Sequence, residues 1–146
     1  MVIGIIGEIC TGKTAIADEL SKKMGAKVYT GKDYKNAESE AGGGEKFINM
    51  LKDYEDTEEP LICVINEKEH LSILPERTVR VLVTSELDAM KERFARQMDG
   101  RLPPQIAAML EKNHGMFDDQ EYDLRVRYVT GRAWVICDSI VNICKK

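Results

Sequence analysis

The chain has 146 residues, 43% hydrophobic and 32% charged, with a net charge of −4 at neutral pH and an isoelectric point near 5.3. That length makes one domain, able to bury about two-thirds of its unfolded surface without disulfides or metal; the acidic balance excludes a general electrostatic footprint for nucleic acid or an anionic membrane. No apolar run approaches the roughly 20 residues of a membrane span and the N-terminus lacks the features of a secretory signal, so a cytoplasmic protein is expected.

Met1-Val2-Ile3-Gly4-Ile5-Ile6 is short and almost wholly apolar, the pattern of a strand buried on both faces. It leads into Gly7-Glu8-Ile9-Cys10-Thr11-Gly12-Lys13-Thr14, where two glycines five apart precede Lys and a hydroxyl residue. From Thr14 the period becomes helical, with Ile16, Leu20 and Met24 four apart and Gly25 as the stop. A strand before and a helix after are the context that a phosphate-binding loop requires. Gly7 and Gly12 let the backbone curl so that successive amides face one concavity at a helix N-terminus, which suits an anion. Lys13 then reaches the terminal phosphates as a point charge, and the Thr14 hydroxyl can join the shell of a bound Mg²⁺.

Ala26 to Thr30 reads as a second strand, and Gly31-Lys32-Asp33-Tyr34-Lys35 as a polar loop at its carboxyl end, where ligands gather in open parallel sheets. Asp33 suits either an acceptor contact or a turn. A weak helix from Tyr34 to Ala41 meets Gly42-Gly43-Gly44, a surface loop or a hinge. Glu45 to Tyr54 is a short amphipathic helix, followed by a solvated acidic connection, Asp53 to Glu59. Leu61 to Ile65 forms the third strand, ending in Asn66-Glu67, and Val79 to Val83 the fourth. Ser85 is placed to cap a helix running to Met98, with Leu87, Met90, Phe94 and Met98 as its apolar stripe. Pro104 opens the next helix, which ends at His114-Gly115.

Tyr122 to Tyr128 and Arg132 to Cys137 both carry strand-like runs around Val129-Thr130-Gly131, a pattern that allows a terminal hairpin. Asp138 would then cap a short final helix through Ile143. The alternation of strands and helices predicts an α/β fold of three layers, with a mainly parallel five-stranded sheet and helices on both faces, in a single domain over 1–146.

The four cysteines, Cys10, Cys63, Cys137 and Cys144, show no metal spacing and fit a reducing compartment without structural disulfides. Cys10 is either a variable loop filler or a thiol whose pKa the adjoining helix N-terminus lowers. Lys91, Arg93, Arg96 and Arg101 follow the fourth strand. They form either a solvated basic face beside Glu86, Asp88 and Glu92, or mobile cations able to close over a phosphate chain. His70 and His114 have no paired nucleophile or metal constellation around them and read as ordinary surface or helix-end residues.

The phosphate loop after the first strand, the loop 31–35 after the second and an Arg-x-x-Arg segment after the fourth resemble the small P-loop kinases. These comprise the nucleoside-monophosphate kinases and their shikimate kinase relatives. Arg93 through Ile106 looks most like a guanylate- or cytidylate-kinase lid, mobile over about 91–120, and Trp134 to Ser139 looks like the segment bordering adenine, with Asp138 beside the base. The resemblance implies an ATP- and Mg²⁺-dependent phosphotransferase acting on a nucleotide, a nucleoside or another small acceptor, without nucleic acid or membrane, as a monomer or homodimer. Residues 7–14 would hold the donor phosphates, Lys13, Arg93, Arg96 and Arg101 would act on the transferring group, and Lys32, Asp33 and Tyr34 would contact the acceptor. Thr14 would bind the metal, and Glu67 would supply its carboxylate one residue beyond Asn66, where many relatives place an Asp. No Arg lies between Lys13 and Arg77, which leaves room for an unphosphorylated acceptor. The competing expectation is a nucleotide-binding regulatory module or slow NTPase that transfers nothing.

Overall fold

A computed structural model describes residues 1–145. Five strands, β1 (Val2–Ile6), β2 (Lys27–Thr30), β3 (Leu61–Ile65), β4 (Val79–Thr84) and β5 (Leu124–Arg127), form one sheet in the order β2-β3-β1-β4-β5. Every pairing is parallel. The helices are α1 (Lys13–Met24), α2 (Gly31–Glu38), α3 (Gly43–Glu55), α4 (Leu87–Gln97), α5 (Pro104–Asn113) and α6 (Ala133–Cys144), with a 3₁₀ helix over Lys68–Ile73.

The central strands separate their side chains by the pleat. Ile3 and Ile5 of β1, Ile62 of β3, and Val81 and Val83 of β4 pack against Ile16 and Leu20 of α1 and Ile136 and Ile140 of α6. Val2, Ile6, Leu61, Cys63, Ile65 and Leu82 face Phe47 and Leu51 of α3, together with Phe117. Burial on both faces explains why these strands are continuous apolar runs and not alternating ones. β5 alternates instead: Leu124 and Val126 are half-buried while Arg125 and Arg127 are exposed, because β5 is an edge strand covered on one face only.

The sheet, its parallel sense and its two helical layers are as the sequence predicts, but three elements differ. Residues 133–144 form a helix in place of the second arm of a hairpin, and among the described residues β5 pairs with β4 alone, in parallel. Ile136, Cys137 and Ile140 are buried at helical spacing, and a run this short and apolar fits a strand or a buried helix equally well by pattern. The polar loop at 31–35 is the first turn of α2. Thr30 caps it, accepting from the Asp33 amide at 3.2 Å while the Asp33 carboxylate accepts from the Thr30 amide at 2.8 Å, the reciprocal arrangement of a capping box. Ser85 does not cap α4, whose N-cap is Glu86; its hydroxyl is engaged elsewhere. Among the described residues no helix is long and apolar enough to cross a membrane.

Candidate functional site

All five strands point their carboxyl ends to one rim of the sheet, where a cleft of about 880 Å³ opens. One wall is the loop between β1 and α1. The Gly7 amide donates to the Ile65 carbonyl at 3.0 Å, fixing the start of the loop to β3. A Cβ on Gly7 would stand 2.5 Å from the Val83 carbonyl, so the loop leaves the sheet where only glycine fits. Cys10 and Gly12 both adopt left-handed backbone, with φ of 61° and 95°, and these two reversals turn the loop around its own centre. The Thr11 hydroxyl donates to the Glu8 carbonyl at 2.9 Å, and the Lys13 ammonium reaches across the loop to the same carbonyl.

Lys13 is only 6% exposed, and burial pushes its ammonium down to about 8. A buried cation with only a neutral carbonyl and a hydroxyl as partners is poised for an anion, which would compensate the lost hydration. Burial raises the Cys10 thiol, outweighing the opposing pull of Lys13 and Arg93. The expectation of a lowered thiol pKa at this helix N-terminus is therefore corrected: desolvation wins over the positive charges nearby.

Glu8 is buried as well, and its carboxylate points away from the cleft. It accepts from the Gly115 amide at 3.0 Å and lies 3.2 Å from Nδ1 of His114. The back of the phosphate loop is thus tied to the end of α5, a role for Glu8 and His114 that spacing alone does not reveal.

Of the four basic residues after β4, the structure brings Arg93 to the loop. Its guanidinium donates to the Cys10 carbonyl at 2.8 Å and to the Ser85 hydroxyl at 2.6 Å, lies 3.3 Å from the Thr130 hydroxyl, and stands 4.9 Å over the Tyr128 ring. The Tyr128 ring also lies against Gly12, where a Cβ would come within 2.1 Å of it. Arg96 turns outward to Glu92 one helical turn earlier, and Arg101 is exposed beyond the end of α4. Neither lines the cleft. Asp138 is also outside it, in the middle of α6 and paired with Lys23 of α1. Its expected place beside a base is corrected by the helix that carries it.

The opposite wall is made by the N-terminus of α2 and the segment after β3. Thr14, Lys32, Asn66 and Glu67 line the cleft. Asp33 is engaged in the α2 cap. Tyr34 turns inward, its ring edge-on to Phe47 at 5.6 Å and to His70 at 5.5 Å between centroids. Glu67 binds Lys35 at 2.6 Å, and its carboxyl is held below the usual range chiefly by that hydrogen bond. His70, expected at the surface, is buried against the N-terminus of α2: a Cβ on Gly31 would stand 2.6 Å from its Nδ1.

No protein-family model and no curated protein sequence matches the chain. Solved structures do, across nearly all of it. The tunicamycin resistance protein of Deinococcus radiodurans is 16% identical, with a TM-score of 0.68 over 98% of this chain and 94% of that one. Shikimate kinase from Acinetobacter baumannii, in complex with shikimate, is 14% identical, with a TM-score of 0.64 over 98% and 92%. A gluconokinase from Sinorhizobium meliloti 1021 is 11% identical, with a TM-score of 0.64 over 97% and 89%. The fold is that of the small P-loop kinases.

Proposed function

We propose that the chain is an ATP- and Mg²⁺-dependent phosphotransferase acting on a hydroxyl of a small molecule. The observation that carries this reading is one cleft with two chemically different walls, a buried lysine in a curled glycine loop facing the capped start of α2. The fold shared with a shikimate kinase and a gluconokinase supports it.

The loop fits a phosphate chain: its glycines stand where a side chain would collide, and Lys13 is buried with only uncharged partners. Lys13 and the loop amides hold the donor phosphates. The exposed Thr14 hydroxyl and the Asn66 amide side chain, both lining the cleft, suit the oxygen shell of a magnesium ion that retains several waters. Bound magnesium neutralises charge on the phosphates, the service it gives throughout phosphoryl transfer. Arg93 now rests on the Cys10 carbonyl; exchanging that neutral acceptor for a phosphoryl oxygen strengthens its hydrogen bond and sets the cation beside the transferring group. Arg96, turned outward to Glu92, and Arg101 lie outside the cleft and take no part in the transfer.

Little acid–base chemistry is required, because positioning and charge stabilisation dominate this reaction. The acceptor wall offers Lys32 and a Lys35 already neutralised by Glu67. That wall favours an unphosphorylated hydroxy compound over a nucleoside monophosphate, whose phosphate would call for a bidentate arginine. Two features favour the regulatory-module reading: Asn66 stands where many small P-loop kinases place an Asp, and Arg93 is already held by Cys10, Ser85 and Thr130.

The test is ADP release from Mg-ATP against a panel of nucleosides, nucleoside monophosphates, sugars and hydroxy acids. A saturable signal with one acceptor, reduced at least about 10²-fold in Lys13→Ala with the circular dichroism unchanged, is expected. Tight nucleotide binding with no acceptor-dependent release would move the assignment to the regulatory module.

A further inference from the structure

Among the described residues, the buried side-chain polar atoms without a hydrogen-bond partner are Glu67 Oε2 and His70 Nδ1. They belong to neighbouring side chains on the acceptor wall of the cleft. Buried polar groups are nearly always satisfied, so the orphaned Glu67 Oε2 beside an imidazole edge calls for a missing partner. The local sequence is Glu67-Lys68-Glu69-His70, at the start of the 3₁₀ helix.

Lys35 binds Oε1 of Glu67 at 2.6 Å, which leaves Oε2 turned toward the imidazole. Oε2 and His70 Nε2 are 3.5 Å apart. That is long for a hydrogen bond. It is close to the roughly 3.4 Å edge of a tetrahedral site whose bonds are about 2.1 Å. Glu69 supplies a third donor: one ligand atom from each of Glu67, Glu69 and His70 falls within 4.8 Å of the others. The His70 side chain is 6% exposed; Nε2 is the nitrogen that faces Glu67 and is free to act as the ligand, while the orphaned Nδ1 lies on the Gly31 side. Gly31 leaves the room its far side needs, since a Cβ there would stand 2.6 Å from Nδ1.

We propose that Glu67, Glu69 and His70 bind a divalent first-row transition-metal ion. One imidazole with two carboxylates selects zinc, cobalt or manganese over magnesium or calcium, which prefer oxygen alone. The site is separate from the nucleotide's magnesium at Thr14. Three protein ligands leave a coordination position open, and because Glu67 and His70 line the cleft, that position is accessible to an oxygen of a bound small molecule. Lys35 offsets part of the carboxylate charge without occupying Oε2.

The experiment uses the full chain without nucleotide, so its outcome does not depend on the kinase reading. Zinc chloride is titrated with the bound metal counted by elemental analysis, and cobalt chloride is titrated while the visible d–d absorption is followed. One ion per chain is expected, with a cobalt spectrum free of thiolate charge transfer. Glu69→Gln, at an exposed position, and Glu67→Gln should each weaken binding by about tenfold or more, and His70→Gln should remove the cobalt band. Because His70 is buried, circular dichroism accompanies that variant, and the Glu69→Gln result stands without it. Absence of binding, undiminished binding in both glutamine variants, or loss of binding in Cys10→Ser would overturn the proposal.

Discussion

The two walls of the cleft are built on different principles. The phosphate-loop wall is a backbone construction: Gly7, Cys10 and Gly12 set its shape, and Lys13, Thr11 and Arg93 all bind its carbonyls. The acceptor wall is a side-chain construction in which Lys35 of α2 binds Glu67, which lies beside His70 in the segment after β3. Backbone geometry accommodates one ligand class, phosphate, and tolerates little change. A side-chain wall can be re-specified by single substitutions, which is where acceptor choice belongs.

The largest test of that contrast compares two arginines three residues apart. Arg93→Ala should lower phosphoryl transfer about 10²-fold, whereas Arg96→Ala, whose partner is an exposed Glu92, should change it by less than about twofold; steady-state ADP release measures both. Equal effects would erase the distinction between a loop-bound and an outward-facing cation.

Glycine substitutions sharpen it next. Gly12→Ala places a methyl group in left-handed backbone and against the Tyr128 ring. Strain and overpacking together should cost roughly 3 kcal/mol in urea unfolding, with no simple second-site rescue. Gly31→Ala collides with one side chain, His70, and should cost about 1–2 kcal/mol. Much of that cost should disappear in a His70→Ala background, a coupling read from the double-mutant cycle.

Lys13 offers a smaller, pH-resolved signal. Its folded pKa, about 8, lies below the ordinary 10.4 of an unfolded lysine. The unfolded chain therefore binds more protons between those values, and apo-protein stability should rise with pH from about 8 toward 10.4. A bound phosphate restores the charged form. Nucleotide binding at pH 8 should then take up about half a proton, measured by calorimetry in buffers of different ionisation enthalpy; no uptake would mean that Lys13 does not meet the phosphates. Least of all, Asp138→Ala breaks an exposed pair with Lys23 and should cost under about 1 kcal/mol without altering nucleotide affinity.

What could be read from the sequence follows the same division. The β1–loop–α1 unit is local, and its glycines, lysine and threonine declare both shape and chemistry over eight residues. The buried strands are nearly as plain: Leu61–Ile65 is a continuous apolar run, and Val81–Val83 forms the buried centre of β4. The acceptor wall is hidden because it joins residues 32 positions apart by contacts that leave no period. Thr30 and Asp33 did carry a signal, a hydroxyl and an acid three apart, which specifies a helix start where a loop was expected. Tyr128 and Thr130 carried none: nothing local says that a ring closing β5 will cover a glycine 116 positions earlier.

The two outer strands have a consequence away from the cleft. β2 and β5 are the sheet's edges, each four residues long, and each carries exposed cations: Lys27 on one, Arg125 and Arg127 on the other. Short, charged edges are poor templates for a further strand. Concentrated solutions of this protein should therefore resist growth into extended cross-strand aggregates, and any self-association must run through helix surfaces, leaving the hydrogen-bonded ribbon closed at five.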